Sequence, residues 1–367
     1  MPKAIRNNII FLPFIALLVI LFILNPKEVK NYPLFVDWLT IAALTGLLVI
    51  TNGIKESSFF TSFSRRLLRR RVNQRAFAVH LVILSTILSM ILTNDIALFL
   101  IVPLTVGFSN FLDIDFEKIV VFEAISVNVG STLTPIGNPQ NLFIWHQWKI
   151  SFLSFIKDMF PIFAIMFAVL LLLTIAVFPR KRITVKNLTE PSDNGKIRKS
   201  LLYISMILLV VFVLLMELRL AHYFLPFVLI IYLVFFRNVI IRTDWGLILL
   251  FVIMFIDFHL LSQLGVVSTL MSKINLSTPG GVFLTSLGAS QAISNVPASV
   301  FMAKFTHDWH SIAYGVNVGG NGLVIASLAN IIALRLAGGR KIFARFHRYS
   351  IAYFAVTAGL SYVLFFR

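Results

Sequence analysis

Cysteine is absent from this chain of 367 residues, which excludes disulfides and any thiolate metal site. Charge is scarce as well, with Asp, Glu, Lys and Arg at 13% against 58% hydrophobic residues. So little charge cannot clothe the two or three soluble domains that the length alone would allow. With a mean hydropathy of +0.91, the composition is that of a polytopic membrane protein. Acidic residues are fewest, 15 against 32 basic ones, leaving a formal charge of +17. The basic residues lie in short runs between apolar segments, the pattern of the positive-inside rule rather than a nucleic-acid-binding face. Membrane lipid, and no nucleic acid, is the expected environment. No nucleophile–base pairing, phosphate loop or His/Asp/Glu metal cluster has convincing spacing, so no enzyme is expected.

Apolar runs predict spans over 9–24, 34–54, 117–145, 155–178, 200–216, 221–236, 244–260, 310–336 and 349–366. Lys3 and Arg6 precede the first in the manner of a signal peptide. No small-residue cleavage site follows it, since Asn25-Pro26-Lys27 comes next, and a retained span is expected. Two further apolar blocks, 76–110 and 278–306, are interrupted by Thr93-Asn94-Asp95 and Ser294-Asn295-Val296. Each reads as a re-entrant hairpin that enters and leaves on one side. With a cytoplasmic N-terminus, both hairpins and an outer C-terminus, 24 of the 32 basic residues fall on inner segments. Making either block a full span would place a strongly basic loop outside.

The densest polar break is 128–141, Asn-Val-Gly-Ser-Thr-Leu-Thr-Pro-Ile-Gly-Asn-Pro-Gln-Asn, and a related stretch begins 189 residues later at Asn317. Gap-free alignment pairs Asn128 with Asn317, Gly130 with Gly319 and Asn141 with Asn330. Irregular polar backbone at membrane depth survives only within protein or along a watery cavity. Paired broken helices in two halves are a pointer to a transporter's binding site. Asp37-Trp38 and Asp244-Trp245 open the spans before the two hairpins, so the halves also match in order.

The predicted fold is therefore an all-α polytopic membrane protein with an inverted-topology repeat, two re-entrant hairpins and two broken transmembrane helices. The first repeat covers 1–178, with hairpin 76–110 and broken helix 117–145. A basic linker and connecting span occupy 179–216. The second repeat, 217–367, holds hairpin 278–306 and broken helix 310–336. Six arginines within 65–75 form either an amphipathic surface helix or a solvated basic loop.

Candidate contacts for a substrate or coupling ion are Thr93, Asn94, Asp95, Asn128, Thr132, Asn141, Ser294, Asn295, Asn317, Asn321 and Asn330. Amide side chains meet either sign of ligand. Half-helix N-termini suit an oxyanion, and carbonyl ends with Asn, Ser and Thr oxygens suit Na⁺. A single Ser or Gly here serves helix packing equally well. Asp95 is either a proton- or cation-linked carboxylate or a cap on a hairpin arm. Glu123 is expected near the cytoplasmic interface in solvent, and Asp257 and His259 are expected to snorkel to the outer face.

Two polar-tipped hairpins, each followed by an Asn-x-Gly broken helix, resemble the ion transporter superfamily over roughly 9–366. That superfamily includes arsenite permeases, sodium/proton antiporters and citrate or dicarboxylate carriers. Thr93-Asn94-Asp95 with Pro103 and the 128–141 stretch look like the first-half signature of the arsenite-permease branch. Ser294-Asn295-Val296-Pro297 and Asn317-Val-Gly-Gly-Asn321 look like its second-half counterparts. The tips differ from the Ser-Asn-Thr of dicarboxylate carriers. The resemblance implies a secondary active transporter of a small anion or oxyacid, with H⁺ or Na⁺ as coupling ion and no other cofactor. It also implies homodimers and a prokaryotic inner membrane. A cation/proton antiporter is the alternative, and a membrane-embedded lipid enzyme and a channel are the remoter ones.

Overall fold

The computed structural model describes residues 11–59, 73–109, 112–183, 197–339 and 341–367. The basic run from Arg65 to Arg71 and the linker stretch from Pro191 to Gly195 lie outside the described residues. Among those described, the chain is all helix apart from turns and one isolated bridge between Asn73 and Arg182. The protein is an all-α polytopic membrane protein.

The main helices are α1 (Phe11–Leu24), α2 (Trp38–Glu56), α3 (Gln74–Ile91), α4 (Asn94–Phe108), α5 (Phe116–Ser131), α6 (Pro139–Trp148), α7 (Phe152–Val177) and α8 (Lys199–Glu217). They continue as α9 (Ala221–Phe235), α10 (Trp245–Gln263), α11 (Pro279–Ile293), α12 (Asn295–Met302), α13 (Trp309–Gly319), α14 (Leu328–Ala337) and α15 (Ile342–Phe365). Five described helices (α2, α3, α7, α8 and α10) are each long and apolar enough to cross a bilayer alone. The main helices fall within the expected apolar blocks, give or take a few residues, with two departures. The C-terminal helix starts at Ile342 rather than 349, because Arg345 and His347 ride on its polar first turns. The chain after α1 does not run on as a loop but bends by 116° into a helical hook over Pro26–Phe35.

Acidic caps set the helix starts, and they recur in both halves. Asp37 accepts from Leu39 N and Thr40 N at the head of α2, and Asp244 accepts from Leu247 N at the head of α10. Asp115 caps α5 through Lys118 N, as Asp308 caps α13 through Ser311 N. Such a cap contributes about 1 kcal/mol and supplies a carboxylate where the helix dipole favours one.

α3 and α4 run out and back. At their two ends Gln74 Nε2 donates to Asp113 O at 3.4 Å. At their turn Thr134 Oγ1 donates to Met90 O at 2.7 Å, so the end of α3 lies beside the interruption of α5–α6. Glycine makes that approach close enough: a Cβ on Gly130 would lie 2.1 Å from Thr86 O of α3. Its counterpart Gly319 sits against Ser290 of α11, where a Cβ would meet the serine Cβ at 2.7 Å.

Loop contacts sort into two ends. At one, Asn73 bridges Arg182, Arg198 N donates to Ser57 O, Arg242 pairs with Glu56 at 2.6 Å and Arg345 with Asp115 at 2.6 Å. At the other, Thr40 meets His146, Phe152 N donates to Glu217, and His259 stacks on Phe35.

Candidate functional site

Four helices begin at the interruptions: α4 at Asn94, α6 at Pro139, α12 at Asn295 and α14 at Leu328. Their N-termini carry free donors and partial positive charge. The breaks of the two halves meet through side-chain amides. Asn128 Nδ2 donates to Asn330 Oδ1 at 2.8 Å, and Asn317 Nδ2 donates to Asn141 Oδ1 at 2.7 Å. These are the same bond made twice, because each residue of one pair stands 189 positions from its counterpart in the other.

The correspondence goes further. Asn141 Nδ2 also donates to Ser131 O and Thr134 O, at 3.0 and 3.1 Å. Asn330 Nδ2 donates to the matching carbonyls, Gly320 O at 2.9 Å and Leu323 O at 3.4 Å. At the helix starts, Asn138 Nδ2 donates to Asn317 Oδ1 at 3.0 Å and Ser327 Oγ to Asn128 Oδ1 at 3.1 Å. Each interrupted helix thus has its loose carbonyls gathered by its own distal asparagine. That asparagine is held in turn by the other half.

The candidate residues divide by what their polar atoms touch. Asn128, Asn141, Asn317 and Asn330 are buried and bonded across the crossing, and Thr132 Oγ1 donates to Asn128 O at 2.9 Å. The hairpin tips border it: Asn94 N donates to Gly137 O at 2.8 Å, and Asn295 Nδ2 lies against Gly320. Three buried acceptors there have no partner among the described residues, namely Thr93 Oγ1, Asn321 Oδ1 and Gln140 Oε1. Ser294 forms the whole link between α11 and α12 at φ +74°, a conformation uncommon outside glycine. Its hydroxyl reaches Ala326 O at 3.5 Å. Asp95 occupies the first turn of α4, buried, with no hydrogen bond to its carboxylate among the described residues, so it does not cap the helix through its side chain.

Two expectations about carboxylates fail. Glu123 is not solvated: it is fully buried, one oxygen accepting from Thr105 Oγ1 and the other without a partner. Asp257 does not snorkel, for it too is fully buried, with both oxygens unpartnered among the described residues. Both acids lie on helix faces that packing covers, which apolar periodicity alone cannot reveal. Gln291 was missed. Its Nε2 donates to Gly319 O at 2.6 Å and its Oε1 accepts from Leu323 N at 2.8 Å, tying α11 to the second break. An amide in an apolar hairpin arm three residues before the tip was the available signal. Asn138, inside the quoted motif, was likewise not singled out.

Comparison with known proteins gives the family. The citrate transporter (CitMHS) family model matches residues 3–310. The chain is 38% identical over 339 residues to inner membrane protein YbiR of Escherichia coli, covering 92% of this chain and 90% of that one. It is also 38% identical over 348 residues to the transporter MJ0456 of Methanocaldococcus jannaschii, covering 93% and 92%. A putative transporter, arsB of Dictyostelium discoideum, is 29% identical over 142 residues, 39% of this chain and 25% of that one. With an interrupted, amide-rich crossing at its centre and relatives that are transporters rather than enzymes, the chain belongs to the citrate transporter family within the ion transporter superfamily.

Proposed function

We propose that the protein is a secondary active transporter that moves a small anion or uncharged oxyacid by alternating access, driven by H⁺ or Na⁺. The observation that carries this is the reciprocal pair of bonds, Asn128 to Asn330 and Asn317 to Asn141, which seats two helix breaks against each other. Such a crossing brings four half-helix N-termini to one depth, and these favour oxygen-rich, electron-rich solutes. The hairpin tips and the unpartnered acceptors (Thr93, Asn94, Asp95, Ser294, Asn295 and Asn321) contact the solute or the coupling ion. The crossing asparagines and Thr132 hold the floor beneath them and present their carbonyl neighbours to a cation. The two hairpins enter from opposite faces of a prokaryotic inner membrane, with the N-terminus cytoplasmic and the C-terminus outside.

The citrate transporter family, a silicon efflux transporter of Oryza sativa that is 28% identical over 126 residues, and the resemblance to arsenite permeases suggest the probes: citrate, silicic acid and arsenite. Uptake and counterflow in proteoliposomes, with and without H⁺ and Na⁺ gradients, are expected to show saturable movement of one of these solutes. Asn94→Ala and Asn295→Ala are expected to lower it at least tenfold, about 1.4 kcal/mol. Unchanged transport in both variants sinks the site assignment. The bare carboxylate of Asp95 favours one second reading, a cation/proton antiporter. Sodium-driven proton movement in vesicles free of any candidate solute would establish it instead.

A further inference from the structure

A cleft lies away from the crossing, at the end of the molecule opposite the basic loops. It encloses about 320 Å³ and is open on one side. Leu39 of α2, His146 of α6 and Met216, Arg219, Ala221 and His222 around the α8–α9 turn line it. α8 and α9 pack on α2 and on each other, so the cleft is the gap between their turn and the end of the first broken helix.

The wall toward α6 is fixed in place. Thr40 Oγ1 donates to Asp37 Oδ2 at 2.6 Å, so the same oxygen accepts from His146 Nδ1 at 3.2 Å. The opposite wall holds the cation. Neither Arg219 nor His222 has a hydrogen bond or ion pair through its side chain among the described residues. The acids at this end are committed elsewhere: Glu217 Oε2 accepts from Phe152 N at 2.8 Å, and Asp37 caps α2. Ala221 opens α9 without a side-chain cap, which leaves first-turn N–H groups free next to Arg219 in the chain.

Aromatic side chains give the depth of the cleft. Trp38 heads α2, Trp148 ends α6 and Tyr223 stands in the first turn of α9. Such residues collect at the headgroup layer of a bilayer. Leu214, Leu218, Leu220 and Phe227 are exposed on and beside the α8–α9 turn, where acyl chains would cover them.

We propose that this cleft binds the phosphate of an anionic phospholipid. The Arg219 fork pairs with two phosphate oxygens, and His222 and the first turn of α9 donate beside it. The acyl chains lie along the exposed leucines of α8 and α9. A free oxyanion would make the same polar contacts and gain nothing from those leucines. The site is separate from the crossing and does not depend on which solute is carried.

Full-length protein, delipidated in detergent, is titrated with phosphatidylglycerol or phosphatidylcholine, with inorganic phosphate as competitor, and bound lipid is measured by native mass spectrometry. Phosphatidylglycerol should be retained in preference to phosphatidylcholine, and Arg219→Asn should weaken its retention at least about tenfold. Lys149→Asn, at the C-cap of α6, is the matched control. Both positions have a left-handed backbone (φ +61° and +56°), which asparagine tolerates, and both lose one positive charge, but Lys149 does not line the cleft. It should retain phosphatidylglycerol as the unaltered protein does. Equal losses in the two variants, equal retention of the two lipids, or displacement by inorganic phosphate at the concentration of the lipid overturns the proposal. If Arg219→Asn fails to fold, His222→Gln carries the test: retention should weaken about threefold, and unchanged retention overturns the proposal.

Discussion

An asparagine offers two donors and an acceptor on one short planar group, and at membrane depth all three demand partners. Asn141 meets the demand fully. Its Nδ2 faces the carbonyls of Ser131, Thr132 and Thr134, and its Oδ1 accepts from Asn317. The second oxygen of a carboxylate there, in place of Nδ2, would face three carbonyls with no donor between them. Asn141→Asp is therefore expected to destabilise the protein by at least about 3 kcal/mol. Asn317→Ala, which frees Asn141 Oδ1 but leaves Asn138 bonded to Ser131, should cost about 2 kcal/mol. Thermal melts in detergent check both, and a smaller loss for Asn141→Asp than for Asn317→Ala would contradict the bonding scheme. The sequence displayed these asparagines as matched pairs, because a shared spacing survives without any knowledge of the fold. It could not show that each bonds to the non-equivalent asparagine of the opposite half. That pairing depends on how the halves are rotated together, which no local pattern encodes.

At the scale of elements, each broken helix has a hairpin arm running tightly along it. The α3–α5 contact is set at Gly130, where an added Cβ would strike the backbone oxygen of Thr86. Gly130→Ala should push the arm away at a cost of about 1–3 kcal/mol. Gly319→Ala meets Ser290 at a longer distance and should cost less. Gly107, in α4 with open space around its Cβ position, is the control, and alanine there should be neutral or stabilising by less than about 1 kcal/mol. Equal melting shifts for all three would rule out close packing as the reason for glycine. Apolar run length located these elements, because bilayer thickness and helix rise fix how much apolar chain a crossing needs. Periodicity was silent on the hook over Pro26–Phe35. The hook has no buried residue in its helical turns, and its order comes from tertiary contacts such as Phe35 on His259.

The whole molecule is organised by which loops meet. The described contacts of the segments rich in basic residues, at Ser57, Asn73, Asp115, Arg182, Arg198, Arg242 and Arg345, are with one another. The sparsely charged loops, at Thr40, His146, Phe152, Glu217 and His259, gather at the opposite end. Lysines and arginines are held on the cytoplasmic side during insertion, so this segregation predicts which end faces the cytoplasm. Absence of native cysteine makes the orientation measurable with single thiols at exposed sites. Lys149→Cys after α6 and Lys273→Cys before α11 should react with a membrane-impermeant maleimide in intact cells. Arg237→Cys and Lys341→Cys should react only after the membrane is opened. Lys149 and Lys341 flank the first and second broken helices, and Lys273 precedes the second hairpin, so the four sites together report whether the halves insert with opposite sense. If Lys273 and Lys341 labelled from the same side, the second hairpin and broken helix would not divide the membrane as the first pair does. The crossing asparagines would then lie near a surface rather than at the middle of the bilayer, and the case for alternating access would fail with them.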